Sequence, residues 1–157
     1  MPLHSERPAL LSSDRHLLPN PSPLLRAVDS HAHVFLGSLR FAPHARHAPD
    51  YDATLGTYLD LLDGHAVSHA VLVQPSFLGT DNSFMLDALR AQPGRLRGVA
   101  VVAPGTPFEP LAALAESGVC GIRFNLVGLP LPDLSQPAWQ ALLSHVRRLG
   151  WHVELHR

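Results

Sequence analysis

The chain has 157 residues, a hydrophobic fraction of 46% and a formal net charge of −1, values typical of one globular domain. This charge gives no electrostatic basis for binding nucleic acid or an anionic membrane surface, and no apolar run reaches the roughly 20 residues of a membrane span. All 12 basic residues are arginine, which excludes a Schiff-base or carbamylated lysine from this chain. The single Cys120 excludes an internal disulfide, and no signal peptide is evident, so we expect a cytoplasmic location.

Residues 1–26 are predicted to form a disordered leader. Five prolines and scattered serines and histidines interrupt this segment, which leaves it too little continuous apolar surface to pack. The folded domain is therefore expected to span residues 27–157.

Five strand patterns alternate with four helix patterns after the leader. Strands are predicted at residues 27–33, 68–74, 96–102, 119–124 and 151–155. Helices are predicted at about residues 52–63, 80–91, 109–117 and 135–149. Strands separated by single helices indicate parallel βα units.

The βα repeat favours an α/β fold, a parallel (β/α) barrel of the TIM type truncated after about five strands. A complete barrel of eight units typically needs about 250 residues. We therefore expect residues 27–157 to be the N-terminal half of such a barrel. A five-stranded doubly wound sheet is the alternative, because it would be complete at this length.

Polar residues collect where the predicted strands end. Asp29, His31 and His33 alternate along the first strand and are expected to share one face. With 11 histidines in the chain, a His-x-His pair alone is weak evidence of a site. Support comes from the ends of three other strands, which carry Ser76, Arg123, Asn125, His152, Glu154 and His156.

Each of these residues also has a simpler interpretation. The histidines could be ordinary polar residues at strand ends, Ser76 could be a turn residue after Pro75, and Cys120 is typical of a small buried apolar residue. Arg123 alternates inward, where an unpaired guanidinium would be costly. The pattern therefore predicts a carboxylate or phosphate partner for Arg123.

Four segments carry a family resemblance. They are VDSHAH at residues 28–33, PDYDA at 49–53, VLVQPSFLGTDN at 71–82 and GIRFN at 121–125. Together they resemble the amidohydrolase superfamily and, within it, the 2-pyrone-4,6-dicarboxylate hydrolase group of TIM-barrel, metal-dependent hydrolases. The similarity covers roughly residues 27–157.

The resemblance implies a lactonase-type hydrolase in which water opens a carboxylated cyclic ester or a related acyl bond. It places His31 and His33 at the reacting centre, either as ligands of one divalent metal ion (Zn²⁺ or Mn²⁺) or without a metal. The partner is a small-molecule carboxylate substrate. The substrate-binding residues that the resemblance implies are Arg46, Tyr51, Ser76, Arg123, Asn125 and His156. His47 stands where relatives often have tyrosine.

The family pattern continues with a histidine on strand six and an acidic residue on strand eight, neither of which occurs in this sequence. We therefore expect the isolated chain to show no hydrolase activity above background. We also expect weak zinc affinity, because two ligands do not complete a four-coordinate site. The alternatives are a non-catalytic half barrel that acts as an interaction or oligomerisation module, its open side covered by a second copy, and a histidine-rich metal-binding protein.

Overall fold

The computed structural model describes residues 24–43 and 45–157. Its strands are β1 (Val28–Ala32), β2 (His69–Val73), β3 (Leu96–Ala100), β4 (Val119–Asn125) and β5 (His152–His156). Its helices are α1 (Leu55–Gly64), α2 (Ser83–Ala91), α3 (Phe108–Glu116) and α4 (Pro137–Arg148). Every predicted element forms, with bounds within three residues of those expected. Most of the predicted leader, residues 1–23, lies outside the described residues.

The five strands form one parallel sheet in the order β1-β2-β3-β4-β5. Each strand pairs with its neighbours in sequence, whereas a doubly wound sheet reverses its strand order at a switch point. β1 and β5 are not paired, yet Nδ1 of His31 lies 3.9 Å from Oε2 of Glu154. The sheet therefore curls until its first and last strands face each other. This confirms the half barrel and rejects the doubly wound alternative.

The helices pack against the outer face of this curled sheet. One apolar cluster joins α1 and α2 to β2 and β3 through buried residues that include Leu62, Leu72, Met85, Leu89 and Leu96. A second cluster joins α3 and α4 to β4 through Leu111, Ile122, Phe124, Leu142 and Val146. The opposite, inner face carries the buried Val73 and Val99, which are register partners on β2 and β3, and polar residues such as Arg123 on β4. Within the described residues, no helix is both long and apolar enough to cross a membrane.

β1 contains one extra residue that changes the face of Asp29. Asp29 pairs with Ala70 and Ala32 pairs with Leu72, so three steps along β1 match two along β2. Asp29 therefore faces the helices, where its Oδ2 accepts a hydrogen bond from the Tyr58 hydroxyl of α1 at 2.8 Å. The prediction that Asp29 shares a face with the two histidines of this segment is wrong, because strict alternation requires an unbroken register.

Candidate active site

A cleft of about 490 Å³ opens at the carboxyl ends of the strands, the position of active sites in barrel enzymes. Its lining residues are His31, His33, Phe35, His47, Tyr51, Pro75, Ser76, Phe77, Arg123 and His156. Six of the eight predicted site residues are thus brought together here. The other two, Arg46 and Asn125, do not line the cleft.

His33 presents a neutral acceptor to the cleft. Its Nδ1 lies 2.7 Å from the carbonyl oxygen of Val73, and a carbonyl can only accept, so Nδ1 carries the proton and Nε2 is bare. Burial is the main cause that lowers the pKa of His33, and the positive charges of His31 and Arg123 lower it further. The ring is therefore mostly unprotonated at neutral pH.

His31 lies between His33 and the fifth strand, β5. The two imidazole centroids are 5.1 Å apart in an edge-to-face arrangement. Nδ1 of His31 points toward Glu154 of β5, whose second carboxylate oxygen lies 3.8 Å from Nε2 of His152. Glu154 was not predicted as a site residue, although its inward position on the fifth strand was a usable signal.

Arg123 supplies a buried positive charge at the cleft. The residue is only 6% exposed, and its register partner on β5 is Glu154. Burial lowers the pKa of Arg123 and Glu154 opposes that shift, although a guanidinium stays charged at any physiological pH. Its Nε has no acceptor among the described residues. An unsatisfied buried donor is costly, so the guanidinium is poised to receive an anionic ligand.

Two more polar atoms near Arg123 lack hydrogen-bond partners within the described part of the chain. Asn125 and His156 are register partners at the ends of β4 and β5. Oδ1 of Asn125 and Nδ1 of His156 are buried without a hydrogen-bond partner among the described residues. Burial lowers the pKa of His156, and the charges of Arg123 and Arg46 lower it further. Arg46 therefore acts on this region electrostatically, although it does not line the cleft.

Aromatic residues form the other wall of the cleft. The rings of Phe35 and Phe77 meet edge to face with centroids 5.0 Å apart. Tyr51 packs on Phe35 and His47 on Phe77, at centroid distances of 5.5 and 5.9 Å. Sequence reasoning missed both phenylalanines, although Phe77 directly follows Ser76. A cleft with an arginine and flat aromatic rings is chemically suited to a planar carboxylate.

Other polar residues of the matching segments have structural roles. Nε2 of the fully buried Gln74 donates to the carbonyl oxygen of Asp81 at 2.6 Å. The Asn82 amide exchanges two hydrogen bonds with the backbone of Val101, at 2.9 and 3.0 Å. These bonds hold the loop that follows β2, which includes Ser76 at the start of a short 3₁₀ turn.

The residues at the cleft do not fit a divalent metal centre by themselves. Zinc sites in proteins use three or four protein ligands. Across residues 24–43 and 45–157, no group of three or more His, Cys, Asp or Glu side chains is arranged to hold a metal ion. His31 and His33 offer two nitrogens, one fewer than the smallest of these ligand sets.

Comparison with known proteins shows which family the chain resembles. The family model described as amidohydrolase matches residues 28–157. A 2-pyrone-4,6-dicarboxylate hydrolase from Comamonas testosteroni is 33% identical over 132 residues, which cover 83% of this chain and 43% of the relative.

Solved structures give the same picture. One is a probable 2-pyrone-4,6-dicarboxylic acid hydrolase from Acinetobacter baumannii with citric acid bound. It is 49% identical to this chain, with a TM-score of 0.82, and the match covers 83% of this chain and 49% of the other. A putative 2-pyrone-4,6-dicarboxylic acid hydrolase from Pseudomonas putida is 53% identical with a TM-score of 0.77, covering 85% and 49%. An Agrobacterium tumefaciens protein, 21% identical with a TM-score of 0.70 over 88% and 50%, shares the fold. The chain therefore spans about half the length of these relatives.

Proposed function

The chain belongs to the amidohydrolase family, and from this premise we propose that it forms the carboxylate-binding part of a hydrolase that opens a carboxylated lactone. The observation that carries the proposal is the buried guanidinium of Arg123, whose Nε has no acceptor within the described structure. The names of the relatives, 2-pyrone-4,6-dicarboxylate hydrolases, support a substrate that is both a cyclic ester and a carboxylate.

Substrate binding begins with Arg123. A substrate carboxylate would accept hydrogen bonds from the guanidinium in a paired, planar geometry, which is stronger than a neutral hydrogen bond. Oδ1 of Asn125 and Nδ1 of His156, both without hydrogen-bond partners among the described residues, lie at the same ends of β4 and β5. Arg46 adds positive charge, and the Ser76 and Tyr51 hydroxyls offer hydrogen bonds at the cleft. The planar ring would lie against Phe35 and Phe77.

We assign His33 the role of general base. As a water oxygen attacks the lactone carbonyl carbon, the bare Nε2 of His33 accepts a proton from that water. The ring C–O bond then breaks, the carbonyl carbon becomes that of a carboxyl group, and the proton passes to the leaving oxygen. A positioned base of this kind contributes about 10²- to 10⁴-fold to the rate. His31, edge-on to His33, lies beside the same reacting centre.

The binding step is tested with the 157-residue chain and 2-pyrone-4,6-dicarboxylate in a titration calorimeter. Truncating one partner of a buried charge pair costs about 2–5 kcal/mol, so Arg123→Met is expected to weaken binding at least about 30-fold. Arg90→Met, which alters an exposed arginine of α2 outside the cleft, is the control and should leave the affinity unchanged. Equal affinities for Arg123→Met and the unaltered chain would contradict the proposal.

Turnover is measured separately, by following the loss of the pyrone absorbance. The chain spans about half the length of its relatives, and the complete reaction is proposed for the whole hydrolase. We predict that the isolated chain hydrolyses no pyrone above background. Turnover that disappears in His33→Gln would overturn that prediction and assign the complete reaction to this cleft.

The alternative function, an oligomerisation module, is favoured by the outer face of β5. Leu155 is 67% exposed there and Val153 is 36% exposed. A second copy of the chain could cover this face. Light scattering decides: a dimer that dissociates in Leu155→Glu would favour the module, whereas a monomer with Arg123-dependent ligand binding favours the hydrolase.

A further inference from the structure

Glu154 is a residue of β5 with no part in the proposed reaction. It occupies the middle of β5, on the inner face, with its side chain 25% exposed. It does not line the cleft. Its register partner is Arg123, so the carboxylate lies on the same face as the guanidinium of the neighbouring strand.

The carboxylate of Glu154 approaches His31 across the interior of the half barrel. Three strands separate β5 from β1 in the sheet, yet Oε2 lies 3.9 Å from Nδ1 of His31. The other oxygen, Oε1, lies 3.8 Å from Nε2 of His152 on the same strand. Glu154 is thus an acceptor placed next to one particular nitrogen of a cleft histidine.

We propose that Glu154 is a positioning residue that selects the tautomer and orientation of His31. A carboxylate can only accept, so its contact with Nδ1 is favourable when that nitrogen carries the proton. The remaining nitrogen, Nε2, is then bare. Val73 imposes the same tautomer on His33 through its carbonyl oxygen. The two rings therefore offer two bare Nε2 atoms at the reacting centre.

The separation of 3.9 Å is longer than a hydrogen bond. At this distance the carboxylate acts on His31 through its negative charge, which favours an N–H over a bare nitrogen at Nδ1 in the ligand-free chain. The inference rests on the proposed function, since it assigns a role within the same site. It goes beyond that function because it makes an acidic residue outside the cleft responsible for the chemical state of His31.

The competing role is that of a counter-charge for Arg123. In that case removal of the negative charge would strengthen anion binding and leave the His31 ring unchanged. The two roles predict different outcomes for the same variants, and neither outcome requires hydrolysis.

The test is ¹⁵N–¹H correlation NMR of the histidine side chains in the 157-residue chain, at a pH of about 8.5, where ordinary imidazoles are neutral. The unaltered chain should show the Nδ1–H form for both His31 and His33. In Glu154→Leu the pattern of His31 should change to the Nε2–H form that free histidine prefers, while His33 keeps its pattern as the internal control. Glu154→Gln, which retains an acceptor oxygen, should restore the original pattern of His31.

Two results would overturn the proposal. The first is an Nε2–H form of His31 in the unaltered chain, which needs no variant to fold. The second is an unchanged His31 pattern in Glu154→Leu. Tighter citrate binding in Glu154→Gln, about tenfold or more, would then assign Glu154 to Arg123. Loss of the binding effect of Arg123→Met, in contrast, would contradict the proposed function and leave the tautomer result standing.

Discussion

The two faces of β4 follow opposite rules. On β4, Ile122 points outward into a closed apolar cluster and is fully buried. The next residue, Arg123, points inward and is buried almost as well, with a donor left open. The outer face gains stability from packing, whereas the inner face keeps polar groups that a ligand can satisfy. Burial alone therefore does not distinguish a stabilising residue from a binding residue; the satisfaction of polar atoms does.

The largest effect on stability is expected at Ile122. Ile122→Ala leaves a cavity among Leu111, Leu142 and their neighbours and should lower the free energy of unfolding by about 2–5 kcal/mol. Urea denaturation measures this. Arg123→Met, one residue along the strand, should change the free energy by less than about 1 kcal/mol, because it removes a costly unsatisfied donor. Similar losses in both variants would refute the distinction between the faces.

The same substitution, glycine to alanine, can be made on the outer face at Gly98 and on the inner face at Gly121. A Cβ on Gly98 would lie 2.6 Å from Cδ1 of Leu89, which is 1% exposed. A Cβ on Gly121 would lie 2.6 Å from the ring of His152, whose exposed side chain can move aside. We expect Gly98→Ala to cost about 1–3 kcal/mol of unfolding free energy and Gly121→Ala less than about 1 kcal/mol. Thermal denaturation followed by circular dichroism orders the two, and the reverse order would count against the comparison.

The inner face should also make stability depend on pH. Burial lowers the pKa of His33 in the folded chain, whereas the unfolded chain keeps the ordinary value of about 6.5. Between these two pKa values the unfolded state binds more protons, so stability falls as the pH drops below about 6.5, by at most about 1.4 kcal/mol per pH unit for this group. The control is His65→Gln, at an exposed position after α1.

Denaturant midpoints between about pH 5 and 8 measure this slope. His33→Gln should reduce the slope, leaving the part that comes from His156, whose pKa burial also lowers. His65→Gln should leave the slope in place. A slope that is unchanged in His33→Gln would show that other groups carry the dependence.

The smallest expected effect concerns the bulge in β1. Tyr58→Phe removes the 2.8 Å hydrogen bond to Oδ2 of Asp29 and should lower the free energy of unfolding by about 0.5–1.5 kcal/mol. Tyr51→Phe, at the cleft, is the matched control because its side chain is exposed; it should change stability by less than about 0.5 kcal/mol. Equal small changes in both would mean that the Tyr58 bond contributes nothing measurable.

Local patterns were sufficient for the elements and for much of the site. The alternation of Ile122, Arg123 and Phe124 predicted which face each would occupy, because an unbroken strand has a side-chain period of two. The βα order predicted parallel pairing of sequential strands, and the polar residues at strand ends indicated where the cleft would open. The predicted roles of the site residues remain predictions.

Three features depended on contacts between distant parts of the chain. The extra residue in β1 turned Asp29 toward Tyr58, and no local pattern marks which strand of a pair carries a bulge. The aromatic wall formed only when the loop after β1 packed against the turn after β2.

The last of these features is the approach of Glu154 to His31, which needed the curl of the entire sheet. The sequence by itself determined the elements, their order and the inward or outward side of most strand residues, because these follow from short-range periodicity. Only the tertiary structure decided which inward residues meet across the interior, because those distances depend on the twist and curvature summed over five strands.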